Sequence, residues 1–314
     1  MHNRAPTHPP PMHTLTRQQL ILLILLTLIW GANWPIMKLG VTGFPPLTFR
    51  SLSMWLGLPV LALVLLWRRV PFSVGRAHWG QLAVLTVFNM LFWHTLIILA
   101  VSSLSSGRAA ILGYTMPIFS AVLGAIWFGQ RLAGRAWLGV AAAALGVLLL
   151  LWHEITALSG RPQGVAMMLV AAAGWAVGTQ LMRRTTIPAP TLALAFWMTL
   201  MTAIWMTSLS LLFEHERWSW PSAPVWGAIV YNALGVFAFA QVVWLMLARD
   251  LPPIASTLSV MFIPVLGVFN GALWLGETLH WQDWTAVALV VLAIATVMWP
   301  PRSTVSRVAA PRGG

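Results

Sequence analysis

The sequence predicts an all-α integral membrane protein of ten transmembrane helices, arranged as two inverted five-helix repeats. Three observations carry this. First, 59% of the 314 residues are hydrophobic and only 8% are charged, and the mean hydropathy is +0.81. That is the composition of a membrane protein. Second, apolar stretches of spanning length recur along the chain, about 20 residues being enough to cross the hydrocarbon core. Third, the chain repeats itself. Pro117–Leu145 and Pro264–Leu292 align without a gap at an offset of 147, and ten of the 29 positions are identical. Shared apolar composition accounts for matched Ala and Leu. It does not account for Pro117/Pro264, Gly124/Gly271, Trp127/Trp274, Gly129/Gly276 and Trp137/Trp284 falling in one register. The period is far longer than that of a solenoid, and in membrane proteins such halves mark transporters.

Taken in order, the apolar segments run 19–38, 46–67, 79–101, 106–128 and 135–152, then 163–183, 190–213, 223–247, 254–276 and 282–299. The connections are short and contain Pro, Gly or Arg, which leaves no room for a soluble domain. Residues 1–17 are Pro- and His-rich and are expected to be a disordered cytoplasmic tail. The apolar run that follows is too long for a cleaved leader. Residues 18–155 form the first repeat, 160–299 the second, with GRPQG (Gly160–Gly164) as the junction, and 300–314 a second cytoplasmic tail. With the N-terminus inside, 13 basic residues fall on the cytoplasmic side and five, Lys38, Arg50, Arg108, Arg161 and Arg217, on the other. That bias places both termini in the cytoplasm of a bacterial-type inner membrane. An odd number of helices per half inverts the second half relative to the first.

Several motifs resemble one family. The first segment carries WGANWPIMK (Trp30–Lys38) and the second opens with PPLTFR (Pro45–Arg50). The fourth runs from Pro117 into LGAIWFGQRL, and the ninth from Pro264 into LGVFNGALWLGETL. These are similar to the EamA family of the drug/metabolite transporter superfamily, whose repeats close with a Pro-led helix and a Gly-Glu-Arg-Leu ending. Here the first ending has Gln130 in place of Glu, and the second keeps Glu277 but has Thr278 in place of Arg. The resemblance implies ten helices, a central cavity lined by helices 1, 3 and 4 and their counterparts 6, 8 and 9, and export of metabolites, amino acids or drugs. The runs SGRAAILGYTMPIF (Ser106–Phe119) and YNALGVFAFAQVVW (Tyr231–Trp244) resemble aromatic amino-acid exporters most.

The residues themselves narrow the substrate by what the spans lack. No Asp or Glu lies near the middle of a span, and helix 9 carries no Lys/Arg pair to neutralise a phosphate. An aromatic interior with neutral polar groups suits a neutral or zwitterionic solute with an apolar side chain. His94 is read as the only ionisable residue deep in a span, and it aligns with Gln241 at the offset of 147. That pairing points to a shared cavity, with interhelical hydrogen bonding as the alternative. Asn89 and Trp93 share one face of helix 3, as Asn232 and Phe239 do on helix 8. Trp30 and Asn33 lie on one side of helix 1. Trp175 aligns with Trp30 at an offset of 145, and Thr179 follows it by one turn. With 20 Trp in the chain, the default role of any one is belt or packing. Tyr114 and Tyr231, the two tyrosines, are candidate donors to a substrate carboxylate. Pro117 and Pro264 each remove a helical hydrogen bond at equivalent places, which makes either a gate or a static bend. Lys38, Arg50 and Arg108 are expected to snorkel to the outer interface, with carboxylate attraction at the outer mouth as the sharper alternative. Gly107, Ala110, Gly113, Gly124, Gly267 and Gly271 give helices 4 and 9 small faces for close packing.

The chain has no Cys, no metal-ligand cluster and no nucleotide-binding loop, so no metal or other cofactor and no direct ATP drive are expected. Its positive charge is scattered over loops, which speaks against nucleic-acid binding. A small-molecule exporter working by alternating access is the leading reading. A multi-span membrane enzyme and a passive metabolite channel are the alternatives, and the oligomeric state is left open.

Overall fold

The computed structural model describes residues 16–129, 134–156, 161–182, 184–243 and 253–298. The tails at 1–15 and 299–314, the Gln130–Leu132 ending, the junction at Gly160, and Arg183 and Arg249 lie outside the described residues. Among the described residues every regular element is a helix. They are α1 (Arg17–Val41), α2 (Pro46–Trp67), α3 (Arg76–Ser103), α4 (in two pieces, Ser106–Gly113 and Met116–Phe128) and α5 (Gly134–Thr156), followed by α6 (Pro162–Met182), α7 (Thr191–Phe213), α8 (Ala223–Val243), α9 (Pro253–Leu275) and α10 (Trp281–Met298). The first eight are long and apolar enough to cross a bilayer, and the apolar runs Met261–Leu275 and Trp281–Thr296 of the last two are shorter.

Local chemistry explains where these helices begin and end. A capping box opens α1: Gln19 N–H donates to Thr16 Oγ1 at 3.2 Å and Thr16 N–H to Gln19 Oε1 at 3.0 Å. Extended prolines, Pro45 and Pro190, stand just before α2 and α7, where a missing N–H costs nothing. Gly129 and Gly276, identical across the repeat, end α4 and α9 at φ of 63° and 64°, a left-handed turn that glycine takes without a Cβ clash. Inside α3 the residues Val87–Leu91, and inside α8 the residues Tyr231–Ala240, widen to π-helix. Shifted by 147, the first stretch falls within the second.

The bundle exposes large apolar side chains and buries several polar ones within an apolar core. Leu138, Leu63 and Trp67 are 71%, 63% and 79% exposed, while Arg50, Asn232 and Ser53 are 1%, 0% and 0% exposed. A soluble protein would reverse this arrangement, and a bilayer satisfies it. The pairing of helices is nearly unchanged when each is exchanged for the one five later. α1 packs on α9 as α6 packs on α4, α3 on α6 as α8 on α1, and α2 on α8 as α7 on α3, while α5 packs on α10 and α2 on α7. Small residues make the α4–α9 contact: a Cβ at Gly107 would lie 3.1 Å from Val268 Cα, and one at Gly267 2.5 Å from Ala110 Cβ.

Polar contacts tie one end of the bundle together across the two halves. Glu277, just past α9, accepts from Ser106 N–H at 2.6 Å, Gly107 N–H at 3.2 Å and Ser106 Oγ at 2.9 Å, capping α4. Glu214, at the end of α7, accepts from Leu47 N–H and Thr48 N–H and so caps α2. Arg108 pairs with Asp283 at 2.7 Å. Lys38 Nζ donates to the Val101 and Ser102 carbonyls, closing the C-terminus of α3. At the other end Trp197 Nε1 donates to the Phe72 carbonyl at 2.6 Å and its ring meets Trp79.

Two stability outcomes follow from these contacts. Glu277→Ala should cost about 0.5–2 kcal/mol, the worth of a helix N-cap, with Glu277→Gln intermediate, read as the thermal midpoint of detergent-solubilised protein. Gly267→Leu should be worse, since overpacking costs about 1–3 kcal/mol, whereas Gly80→Leu, with nothing within 4 Å of its Cβ, should leave the midpoint where it is.

Candidate functional site

Several polar groups that a bilayer protein can least easily bury lie inside this bundle. Asn33 on α1, Arg50 on α2, Asn89 and His94 on α3, and Asn232 on α8 are all buried. The two π-helical stretches have the same internal chemistry. Asn89 Nδ2 donates to the Leu85 carbonyl and Asn232 Nδ2 to the Ala228 carbonyl, both at 3.1 Å and both four residues back. Widening the helix shifts the ladder by one residue and leaves carbonyls for a side chain to take. Asn232 thereby turns its Oδ1 to Arg50, whose Nη1 donates to it at 3.3 Å.

Arg50 corrects the sequence reading. It was expected to snorkel to the outer interface, leaving His94 as the only deep ionisable residue. Instead it is 1% exposed, and its guanidinium lies against the Phe237 ring at 5.7 Å from the centroid and donates to Met37 Sδ at 2.8 Å. The physical reason is one of facing. Arg50 sits four residues into α2, about 6 Å from its start, and the side chain is long enough to run either way along the helix. Its face of α2 packs on α8, so the charge is carried inward to Asn232. The interior therefore holds a cation that forms no ion pair among the described residues. The other two cations expected at that interface are engaged structurally, Lys38 with α3 carbonyls and Arg108 with Asp283.

Around this charge three buried atoms have no hydrogen-bond partner: Arg50 Nε, His94 Nδ1 and Asn33 Oδ1. The His94 ring lies 5.4 Å from the Phe237 ring that Arg50 also covers, tilted by 56° to it. Asn33 is one turn before Met37 on α1, the same face as the thioether that receives Arg50. Aromatics close the region. Trp34 meets Tyr114 edge-on at 6.1 Å, and Trp93 meets Trp175 at 5.3 Å. A Cβ at Gly113 would reach Trp34 at 2.7 Å and Trp93 at 3.5 Å, so the absent side chain lets the two indoles approach the α4 break. That break, Tyr114–Thr115, precedes Pro117, which has no N–H to offer the Gly113 carbonyl.

Of the residues the sequence singled out, Asn33, Trp93, His94, Tyr114, Trp175 and Asn232 come together here. Asn89 lies beneath Gly178 of α6, where a Cβ would be 2.6 Å from its Cγ. Others are engaged elsewhere. Tyr231 donates its hydroxyl to the Ile29 carbonyl at 2.7 Å, and Thr179 donates to the Trp175 carbonyl. Trp30 and Phe239 pack in a cluster between α1 and α8. Gln241 is half-buried, one turn beyond the Phe237 that His94 touches. Pro117 lies in the first turn of the second piece of α4, whereas Pro264 sits within an unbroken α9. The residues that sequence reading missed are Trp34, Met37 and Phe237, together with the direction of Arg50. For Arg50 alone a signal existed, a charge inside the first turns of an otherwise apolar span.

Trp34 is 4% exposed and Trp220 85%. Trp34→Ala should therefore lower stability by about 3–5 kcal/mol, and Trp220→Ala should not, by the same detergent melting measurement.

With this geometry in place, likeness to known proteins becomes informative. The profile of the EamA-like transporter family matches residues 18–152 and, a second time, residues 162–299. A Bacillus subtilis (strain 168) protein named "Uncharacterized transporter YoaV" is 26% identical over 91% of this chain and 97% of its own length. "Uncharacterized inner membrane transporter YedA" of Escherichia coli (strain K12) is 27% identical over 88% of this chain and 89% of its own. A second protein of that strain, named "Probable amino-acid metabolite efflux pump", is 26% identical over 89% of this chain and 94% of its own. A solved crystal structure superposes with a TM-score of 0.65 at 20% identity, over 89% of this chain and 96% of the other, and shares the fold. Motifs, apolar exterior and profile agree: the chain is a membrane protein that belongs to the EamA-like transporter family.

Proposed function

We propose that this protein is a secondary exporter of zwitterionic metabolites, amino acids with aromatic or large apolar side chains, working by alternating access between two inverted five-helix repeats. Ten helices cross an inner membrane with both termini cytoplasmic, and the substrate binds where α1, α2, α3, α4, α6 and α8 converge. The observation that carries this reading is the buried cluster itself: a guanidinium, an imidazole and two amides walled by Trp34, Trp93, Tyr114, Trp175 and Phe237. Pockets that hold small molecules are mostly apolar with a few convergent polar groups. Aromatic walls suit a large apolar side chain, and unpartnered polar atoms suit its charged end.

The repeat reading is supported by two profile matches of similar length and by helix pairings that survive the five-helix exchange. Equivalent glycines at Gly129 and Gly276 and equivalent π-helical stretches support it further. The amino-acid reading is supported by the name of one relative and by the resemblance of Ser106–Phe119 and Tyr231–Trp244 to aromatic amino-acid exporters. The substrate-facing set on this reading is Asn33, Trp93, His94, Tyr114, Trp175 and Asn232 of the residues chosen from sequence. Trp30, Asn89, Thr179, Tyr231, Phe239 and Gln241 support them from behind. Pro117, at the α4 break, is the better gate of the two prolines.

The decisive experiment is uptake of labelled phenylalanine, leucine and aspartate into proteoliposomes, with and without a pH gradient. Phenylalanine and leucine should accumulate above empty liposomes and aspartate should not. Movement of cations or phosphates alone would refute the substrate class. A reporter fused after Gly314 should remain cytoplasmic, and an external signal would overturn the topology.

A further inference from the structure

We propose that Arg50 is the carboxylate anchor of the transport site, and that Asn232 and Asn33 orient the bound zwitterion around it. The inference rests on the exporter reading and names the end of the substrate that the site recognises.

The argument starts from what a buried guanidinium requires. It carries five N–H donors in a fixed plane and a charge that cannot be discharged by losing a proton. In the bundle, Arg50 spends one donor on Asn232 Oδ1 at 3.3 Å and one on the thioether of Met37, a weak acceptor. Among the described residues its Nε has no partner and no carboxylate pairs with it. Glu214, at the end of α7, is occupied with the Leu47 and Thr48 amides of α2. An uncompensated buried charge is strongly unfavourable, and intramembrane cations face interior partners or a substrate path. The missing partner is an anion of planar, two-oxygen geometry, which Nε and a terminal nitrogen grip as a fork.

The surroundings narrow that anion to one end of an amino acid. Phe237 covers the guanidinium and His94 packs against the same ring, so a large phosphate or sulfate would have to displace aromatics. One turn from Met37, the Asn33 side-chain oxygen is a buried acceptor without a donor, placed to take an ammonium. The Trp34–Tyr114 and Trp93–Trp175 pairs beyond it offer faces for an apolar side chain. Equivalent positions in the other half carry no such charge. Aligning the two prolines that precede α2 and α7, Pro45 and Pro190, sets Ala195 opposite Arg50. The symmetric scaffold thus holds a single anchor, and one substrate per cycle follows.

The test compares phenylalanine, phenylalaninamide and 3-phenylpropionate as transported or competing solutes in proteoliposomes of wild type, Arg50→Gln, Arg50→Lys and Asn232→Asp. Wild type should prefer phenylalanine over its amide, with 3-phenylpropionate competing. Arg50→Gln should raise KM for phenylalanine by roughly thirtyfold or more and erase the preference over the amide. Arg50→Lys should keep the preference at weakened affinity, because the charge remains and the fork is lost. Asn232→Asp supplies a carboxylate from within the protein. It should raise the thermal midpoint in detergent while raising KM for phenylalanine, a pair of opposite effects that loss of packing cannot produce. An Arg50→Gln protein that still discriminates phenylalanine from its amide, or an Asn232→Asp protein with unchanged KM, would overturn the anchor and leave the exporter reading standing. If wild type moves none of the three solutes, the exporter reading itself fails.

Discussion

A polypeptide in a bilayer has to satisfy its own polar groups, because the hydrocarbon offers none in exchange. Most of the architecture follows from that constraint. Helices satisfy their interiors, so the unsolved problem lies at their ends, where four N–H groups or four carbonyls are left over. This chain meets it with residues from the opposite half. Glu277 caps α4 and Glu214 caps α2, while Lys38 closes α3 within the first half. Hydroxyls inside the spans are absorbed the same way, Ser53, Thr86, Thr199 and Thr202 each donating to a carbonyl four residues back. The motif Gly276-Glu277 then has a plain reading. Glycine turns the chain out of the helix, and the carboxylate that follows reaches across to start another.

Sharing caps between halves also fixes what can move. At the end holding Glu214, Glu277 and Asp283, the two halves are joined by charge-assisted contacts to backbone and side chain. α2 is held to α7, and α4 to the α9–α10 turn. On the alternating-access proposal, opening at that end would have to release the α4 cap that Glu277 makes from α9. The break at Tyr114–Thr115 divides α4 into two pieces, a division that the unbroken α9 does not offer.

Span positions, glycine and proline punctuation and the small faces of α4 and α9 were legible in the sequence because each depends on local chemistry. The expected segment 46–67 coincides with α2, and 106–128 with the two pieces of α4. Facing was not legible. In a soluble helix a polar stripe shows which side is out, but a helix apolar all round has no such stripe. Arg50 was therefore assigned by distance from the span end alone, which gave the wrong side. Tyr231 looked like a free phenol, yet its partner is a backbone carbonyl of α1, and carbonyls leave no mark in a sequence. The π-helical stretches were equally hidden, since widening a helix by one residue per turn changes no composition. Asn89 and Asn232 were each chosen for sharing a helix face with an aromatic, and their common role, bonding the carbonyl four residues back, needed coordinates.

A carrier's rate depends on the difference between crossing the closed state empty and crossing it loaded, and the central cluster bears on that difference. A ligand shifts a conformational equilibrium only by as much as it favours one state over the other. In the bundle Arg50 is 1% exposed with one good acceptor, so on the alternating-access proposal an empty closed state would carry the cost of a charge taken from water without a partner. Opening would hydrate that charge and remove the cost. A substrate carboxylate would remove it too, without opening, and so would favour the closed state selectively. With the anchor assigned to Arg50, the under-satisfied guanidinium makes the empty carrier reluctant to close and the loaded carrier ready to. The same group that would recognise a carboxylate would thereby tie closure to its presence, which a neutral, fully satisfied cluster in the same aromatic frame could not do.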